Sequence, residues 1–579
     1  MIIHRLFTLL LTIILACSAS KISAQEGVIE HQGNKYIIHV ERLNPDSEMT
    51  LLDVLHICPE FFSTDGKGLI GDYLLSVDDI MLSGDYEPLL EGIKAVDLSE
   101  VVVCTYGAVN NAMDGITGSI DLQFKEGSKG MAGKLGINGS TYGNGRLYAD
   151  MTSTSENVTI HGIAQTSLLY GKANANNSNL VTTRGLTEDA MVFINWNMSE
   201  RDVMKLKFFQ AFNDEKGRVY SNDGDTYIWP DLSRYGEFSA AYERTLSDNG
   251  AALYLEADVN YSNINSELVK IRNTTTWWIT EFSFPIFTKD LWMTAGWEID
   301  YANLWRRESN REQYLNNDFY VMLDYTHGPW VLSIGDRLRI NNFWDKRDVS
   351  DPSLWSYNRT DHAFHASIGY QNKRHFVQGT LSRTYYNPTL LDFYYIIEES
   401  QEEQYQTDFK TNLAWRAEAR YNYQTKNMVL TSSLQHLRLT DMILPNEYLT
   451  GLKTSVTWNK GPLRLTVGAN FYHRHISARD DIKATYNNFY NLKLAPTWLI
   501  GKGFRLSSVL LYNSRKIYYL EEHPYLYASI KINKDLGKRC NIYADYHDIA
   551  GQPTATAYEL IQSYKNRALT IGLTFYPFR

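Results

Sequence analysis

The 579-residue sequence contains no run of 18 or more apolar residues beyond its N-terminus, which excludes a helical membrane span. It has no HExxH pair, no Walker loop and no nucleophile elbow, so no catalytic arrangement stands out and an enzyme is not expected. No cofactor is called for. The formal net charge is −10, without the basic excess that a nucleic-acid partner requires. Metal-ligating clusters are also scarce. His362 and His365 fall on opposite faces of a strand at period two, a poor arrangement for chelation. His473 and His475 share a face and could hold a metal or a haem; ordinary rim residues are the plainer reading, and no metal site is assigned.

Aromatic residues, by contrast, are plentiful, with 40 Tyr, 23 Phe and 13 Trp. Such residues gather at both rims of a membrane barrel, although a large soluble all-β protein would carry them too. The first residues read as an address. A positive charge lies within residues 1–5, residues 6–16 are almost wholly apolar, and small residues lead to Ala24, a signal-peptide pattern over residues 1–24. Cys17 offers a rival reading as a lipoprotein cysteine, which Leu15 fits poorly. Three cysteines remain after cleavage. Export permits disulfides, so Cys58 and Cys104 either pair or remain buried thiols.

From Met131 onward one pattern recurs: about ten residues alternate apolar and polar, and a polar break follows. Leu253, Leu255, Ala257, Val259 and Tyr261 fall on one face, with Tyr254, Glu256, Asp258 and Asn260 on the other. Leu463, Leu465, Val467, Ala469 and Phe471 repeat it against Arg464, Thr466, Gly468, Asn470 and Tyr472. A dry sandwich core could not bury such charged faces without partners. In a membrane barrel the apolar face meets lipid and the polar face lines the lumen. About 22 segments can be read in this way. Short breaks at 199–202, 247–250, 287–290, 327–328, 372–373, 459–461, 501–502 and 535–537 alternate with long ones at 170–189, 215–234, 302–315, 342–360, 385–409 and 550–564. That parity predicts short periplasmic turns and long outer loops. The expected fold is an all-β membrane protein: a transmembrane β-barrel of about 22 strands over residues 131–579, with a small N-terminal α+β plug, residues 25–130, in its lumen.

The N-terminal segment carries a resemblance. TLLDVLHICPEFF at 50–62, a short helix running to a proline, resembles the plug opening of TonB-dependent outer-membrane receptors. LLSVDDIML at 74–82 looks like their plug strand that runs into Asp-Gly, with Asp79 in place of the glycine. DLSEVVVCTYGAVNNAMDGITGSIDLQF at 97–124 resembles the closing stretch of the plug, with Tyr106, Gly107, Ala112, Gly115, Gly118 and Ile120 in place. LSEVVVCTYG within it also resembles a coupling box, but too few residues follow for a plug. SRTYYNPTLLDFYY at 382–395 and NIYADYHDIAGQPTATAYEL from Asn541 look like barrel motifs of the same family, and the last strand ends on Phe578, with Arg579 a small departure.

The resemblance implies capture of a ligand at the cell surface and its TonB-dependent import across the outer membrane. Its implied partners are outer-membrane lipid, TonB in the periplasm, and a small-molecule, metal-chelate or oligomeric ligand, with room for a surface lipoprotein. Candidate ligand-binding residues are Arg383, Tyr385, Tyr386, Phe393, Tyr394 and Tyr395; stacking on a ligand and service as rim aromatics both remain open for the aromatic ones. The acidic residues Glu398, Glu399, Glu402 and Glu403 are either a cation site or a solvated loop. The coupling segment is sought soon after Gln25, where Val28 and Ile29 are the candidates. Without a working segment the chain would be a binding or accessory barrel with a fixed plug.

Overall fold

The computed structural model of the chain describes residues 28–32, 35–43, 49–58, 73–82, 93–104, 118–125, 129–141, 143–174, 180–220, 226–266, 270–306, 311–346, 355–386, 412–440, 446–478, 483–501, 503–518, 521–537, 539–546, 549 and 569–578. Residues 1–24, read above as a signal peptide, lie outside them.

The N-terminal part is a six-stranded mixed sheet. Its strands are β1 (Ile29–Gln32), β2 (Lys35–His39), β3 (Tyr73–Val77), β4 (Ile80–Leu82), β5 (Leu98–Cys104) and β6 (Gly118–Phe124), in spatial order β1-β2-β5-β6-β3-β4. β3 and β6 run parallel and the other pairs antiparallel. The short helix expected after Thr50 is α1 (Leu51–Leu55), opened by a capping box. The Thr50 hydroxyl accepts from the Asp53 N–H at 3.2 Å, and the Asp53 carboxylate accepts from the Thr50 N–H at 2.9 Å. Between β3 and β4 the turn Asp78-Asp79 has positive φ at both residues, 47° and 69°. A two-residue hairpin of matching twist requires that geometry, and aspartate is one of the few side chains that tolerate it. The sheet and α1 share an apolar core of Ile38, Leu51, Leu55, Val77, Val101 and Leu122, all fully or almost fully buried.

The remaining strands are β7 (Gly130–Ser140), β8 (Gly145–Thr154), β9 (Val158–Asn174), β10 (Leu180–Asn197), β11 (Asp202–Tyr220), β12 (Thr226–Thr245), β13 (Ala252–Ser266), β14 (Lys270–Pro285), β15 (Leu291–Arg306), β16 (Arg311–His327) and β17 (Trp330–Lys346). They continue as β18 (Trp355–Asn372), β19 (His375–Tyr386), β20 (Asn412–Thr425), β21 (Met428–Thr440), β22 (Glu447–Lys460), β23 (Leu463–Ile476), β24 (Thr485–Gly501), β25 (Phe504–Tyr518), β26 (Glu521–Asp535), β27 (Cys540–Tyr546) and β28 (Leu569–Phe578). Each pairs antiparallel with its sequence neighbour, and β28 pairs with β7 to close a 22-stranded barrel. Closure pairs every strand with two neighbours round the ring, the condition for a sheet to sit in lipid.

The barrel is inside out. In β13, Val259 is 47 % exposed on the outer face, whereas Glu256 and Asp258 are 3 % and 4 % exposed on the inner one. The faces are those read from the alternation. At several points a luminal tyrosine lies across a glycine on the facing strand. The Tyr320 ring covers Gly296 so closely that a Cβ there would overlap it.

The short turns stand where expected, at one end of the barrel. The opposite connections differ from the sequence reading. Most of 170–189 is strand, because β9 runs to Asn174 and β10 begins at Leu180, and most of 215–234 belongs to β11 and β12. Strands that rise above the bilayer have water on both faces, so they lose the alternation and read as loops. The two longest outer connections, 387–411 and 547–568, fall almost wholly outside the described residues.

Candidate functional site

The inner wall of the barrel meets the plug all round the ring, mostly through side chains donating to plug backbone. Lys205 donates to the Asp78 carbonyl (2.8 Å) and the Asp79 carboxylate (3.2 Å), and Lys207 bridges the Met81 carbonyl and Glu237. Glu256 accepts from the Met81 N–H at 3.2 Å. Across the lumen, Gln424 donates to the Ile29 carbonyl (3.1 Å), Thr457 to the Ile57 carbonyl (2.9 Å) and Lys493 to the Cys58 carbonyl (3.0 Å). Arg464 donates to the Leu43 carbonyl. Contacts from strands on every side place the plug sheet inside the lumen. They also account for the luminal lysines and arginines, whose burial would otherwise be costly.

Besides Asp79, the plug carboxylates Asp53 and Asp97 make ion pairs with the wall. Asp53, the capping-box residue of α1, meets Lys531 at 3.0 Å. Burial disfavours its charge, but Lys531 and the Thr50 N–H outweigh that and bring its pKa down to about 2. Asp97 meets Lys134, which is shared with Asp150 at 2.8 Å. There burial and the neighbouring Asp150 push Asp97 up against the pull of Lys134. In the β3–β4 turn, burial raises Asp78 to about 7 despite its bond from the Phe124 N–H. Burial brings His56 down to about 3, with Lys493 acting in the same direction.

A second set of buried charges sits within the wall itself. Asp318 accepts from Arg337 at 2.8 Å and from Arg339 at 2.7 Å, and Glu298 accepts from Arg337 at 2.6 Å. On β20, Glu418 lies between Arg416 and Arg420, each at 2.7 Å. Such buried charge networks help to fix the shape of the wall.

The candidate ligand residues part company. Arg383 lies over the Trp415 ring at 5.7 Å, on the face of β19 that also carries the exposed Leu381 and Val377, so it stands on the outside of the barrel. Tyr385 is fully buried; it packs on Ala363 and lies 5.0 Å beneath the Arg339 guanidinium, both luminal. Period two would give Arg383 and Tyr385 one face. The β18–β19 ladder ends at Phe364↔Arg383, and beyond it Tyr385 turns inward. Tyr386 is in β19, its side chain undescribed, and Phe393, Tyr394, Tyr395 and the Glu398–Glu403 group lie outside the described residues.

In the plug's closing stretch, Gly118 opens β6 beside β3, whereas Tyr106, Gly107 and Gly115 fall outside the described residues. Val28 and Ile29 belong to the sheet edge: the Val28 carbonyl accepts from the His39 N–H at 2.9 Å, and Ile29 is buried in the plug core. Cys58 and Cys104 are both buried thiols, not bridged to each other. His473 bonds Asn488 at 2.9 Å and His475 stacks on Tyr486 at 4.4 Å, both on the outer face; no cluster of three potential metal ligands occurs among the described residues. Sequence reasoning missed the plug-holding lysines, Lys205, Lys207, Lys493 and Lys531. Their signal was present: each sits on the polar face of an alternating strand, where only a buried partner justifies an inward lysine.

A closed barrel with an apolar outside and a lumen filled by a mixed sheet defines the class, a plugged barrel of the outer membrane with the fold of TonB-dependent receptors. The chain is similar in fold to the ferric-catecholate import receptor Fiu from E. coli K12 (TM-score 0.69, 10% identity, covering 95% of this chain and 100% of that one). It is similar also to the copper transporter OprC (TM-score 0.73, 10% identity, 96% and 100% covered). A third likeness is to the ferripyoverdine receptor of the outer membrane of Pseudomonas aeruginosa (TM-score 0.68, 8% identity, 96% and 88% covered). No family model and no curated protein matches the sequence.

Proposed function

We propose that the protein captures a ligand at the cell surface and imports it across the outer membrane in a TonB-dependent manner, with residues 25–130 as the movable plug and 131–579 as the conduit. The observation that carries this reading is the way the plug is held. A polar inner wall grips a separately cored sheet through hydrogen bonds and ion pairs, contacts that water can replace once the plug is drawn away. The similar folds named above include receptors for iron chelates and a copper transporter, which supports a metal or metal-chelate ligand among the candidates. The luminal end of the proposed ligand site is Tyr385, with Tyr386, Phe393, Tyr394 and Tyr395 following it in sequence. Val28 and Ile29 are the proposed coupling segment, engaged by TonB as an added strand.

One observation favours the second reading, a surface binding or accessory barrel with a fixed plug, working beside a surface lipoprotein. Val28 and Ile29 are built into the plug sheet, and coupling through them would require β1 to peel away from β2. Deleting residues 26–32 separates the two readings. Import predicts loss of energised uptake with surface binding intact; a fixed plug predicts no change in either. Unchanged energy-dependent uptake by the deletion variant overturns the placing of the coupling segment at Val28–Ile29.

A further inference from the structure

The outer face of one wall carries a row that the alternation alone does not reveal. Register partners across seven successive strands are Phe364 (β18), Arg383 (β19), Trp415 (β20), Arg438 (β21), Tyr448 (β22), His475 (β23) and Tyr486 (β24). Directly paired residues point to the same side of a sheet. Trp415 and Tyr486 are exposed, and the inward neighbours Ser382, Leu437, Leu449 and Tyr472 are buried, so this side is the outside. Four neighbouring pairs in the row are in contact. Arg383 lies over Trp415 at 5.7 Å and Arg438 over Tyr448 at 5.7 Å. His475 is stacked between Tyr448 (5.5 Å) and Tyr486 (4.4 Å).

The height of the row follows from the strands. Arg383 is eight residues from the first residue of β19 and Arg438 ten from that of β21, both counted from the end with short turns. A tilted strand crosses the hydrocarbon in roughly 9–11 residues. The β18–β21 part of the row therefore stands where hydrocarbon gives way to headgroups, on the side of the long connections, which is the cell surface, and the row climbs from there to His475 and Tyr486, twelve and fifteen residues from the short-turn ends of β23 and β24. Among the described residues neither Arg383 nor Arg438 has a carboxylate within ion-pair distance. The acid next in the row, Asp336 on β17, faces His362 at 3.7 Å.

We propose that this row is a docking surface for the phosphate-bearing headgroup of an outer-leaflet lipid. The strand spacing sets the Cα atoms of the two arginines about 10 Å apart on either side of Trp415. Guanidinium binds phosphate oxygens in bidentate fashion, and its stacking on an aromatic ring holds it extended along the wall. The apolar residues below, Leu381, Leu434 and Leu452, are exposed and receive the acyl chains. Elsewhere on the described outer face, Arg272 lies over Trp305 at 5.2 Å. The continuous row offers two fixed cations to one headgroup.

The test uses the full-length protein in phosphatidylcholine bilayers containing a minor fraction of a photoreactive phosphatidic acid, with crosslinks mapped by peptide mass spectrometry. Labelling is expected to concentrate on β19–β22, to weaken with added salt, and to fall about fivefold for each arginine removed in Arg383→Gln and Arg438→Gln. The double Lys variant, which keeps the charge, retains most of the labelling. Heat-modifiable gel mobility confirms that each variant is folded. Even labelling around the barrel, labelling unchanged in the double Gln variant, or an equal fall in Arg272→Gln overturns the proposal.

Discussion

The plug and the barrel use the same period-two alternation and bury opposite halves of it. In β5 of the plug, Val101 and Val103 are buried and Glu100 and Val102 are partly exposed, as in any water-soluble sheet. In β13 of the barrel the acids are buried and the valine is exposed. Alternation gives the two faces of a strand; only what lies against each face decides which is the core. Here the plug itself supplies the partners that let the barrel bury charge, and lipid lets it expose leucine.

The comparison can be broken most severely at the charges between the two parts. Lys207 and Glu237 are both fully buried, and Lys207 also reaches the Met81 carbonyl. Lys207→Ala leaves an uncompensated buried carboxylate and is expected to destabilise the closed protein by about 3–5 kcal/mol, read in urea unfolding with protease protection of the plug as probe. Lys207→Met with Glu237→Gln should recover most of the loss. Next comes the lipid face. Counted from the short-turn end of β13, Leu255 at three residues and Val259 at seven lie about equally far from mid-span, so Leu255→Arg and Val259→Arg should cost similar amounts, each up to roughly 2–4 kcal/mol. A cost near zero at either site would contradict the placement of the bilayer. Refolding equilibria in bilayers measure both.

A smaller effect tests the plug's own electrostatics. Asp78, raised from 3.8 to about 7, binds its proton more tightly when folded, so its contribution is present at low pH and is lost as pH rises from about 4 through 7. Asp53, lowered to about 2, contributes above about 4 and fails as pH falls towards 2. His56, lowered to about 3, opposes Asp78 over the same range, so Asp78→Asn should make plug protection against protease fall less, or rise, as pH goes from about 4 to 7 relative to the unchanged protein. The smallest effect is at the turn. Asp79→Gly relaxes a positive φ at the loss of a half-exposed pairing with Lys205, which keeps its bond to the Asp78 carbonyl, a net change within about 1 kcal/mol.

What the sequence made legible follows the same division. Strand number, barrel facing and the short turns were readable because lipid and lumen impose strict alternation over each span. The helix at Thr50 was readable from its spacing and Pro59, but the second role of Asp53, the bond to Lys531, was not, because the two are 478 residues apart in sequence. The strand extensions beyond the bilayer were hidden by the absence of alternation in water. Arg383 and Tyr385 were grouped because they are neighbours in one motif; that Tyr385 is buried against Ala363 and Arg339 while Arg383 stands outside leaves no local mark in the sequence.

The inversion of faces is tested most directly at Trp277 and Trp278, adjacent in β14. Trp277 is 9 % exposed, packed with Ile279 and Tyr320 beside Met81 of the plug, and Trp278 is 42 % exposed on the outer face. With 5-fluorotryptophan incorporated and the two resonances assigned through Trp277→Phe and Trp278→Phe, a lipid carrying a spin label on its acyl chain should broaden the Trp278 signal and leave Trp277 sharp. Broadening of Trp277 with Trp278 unaffected would show that the barrel's faces, and with them the plug-filled lumen, have been assigned the wrong way round.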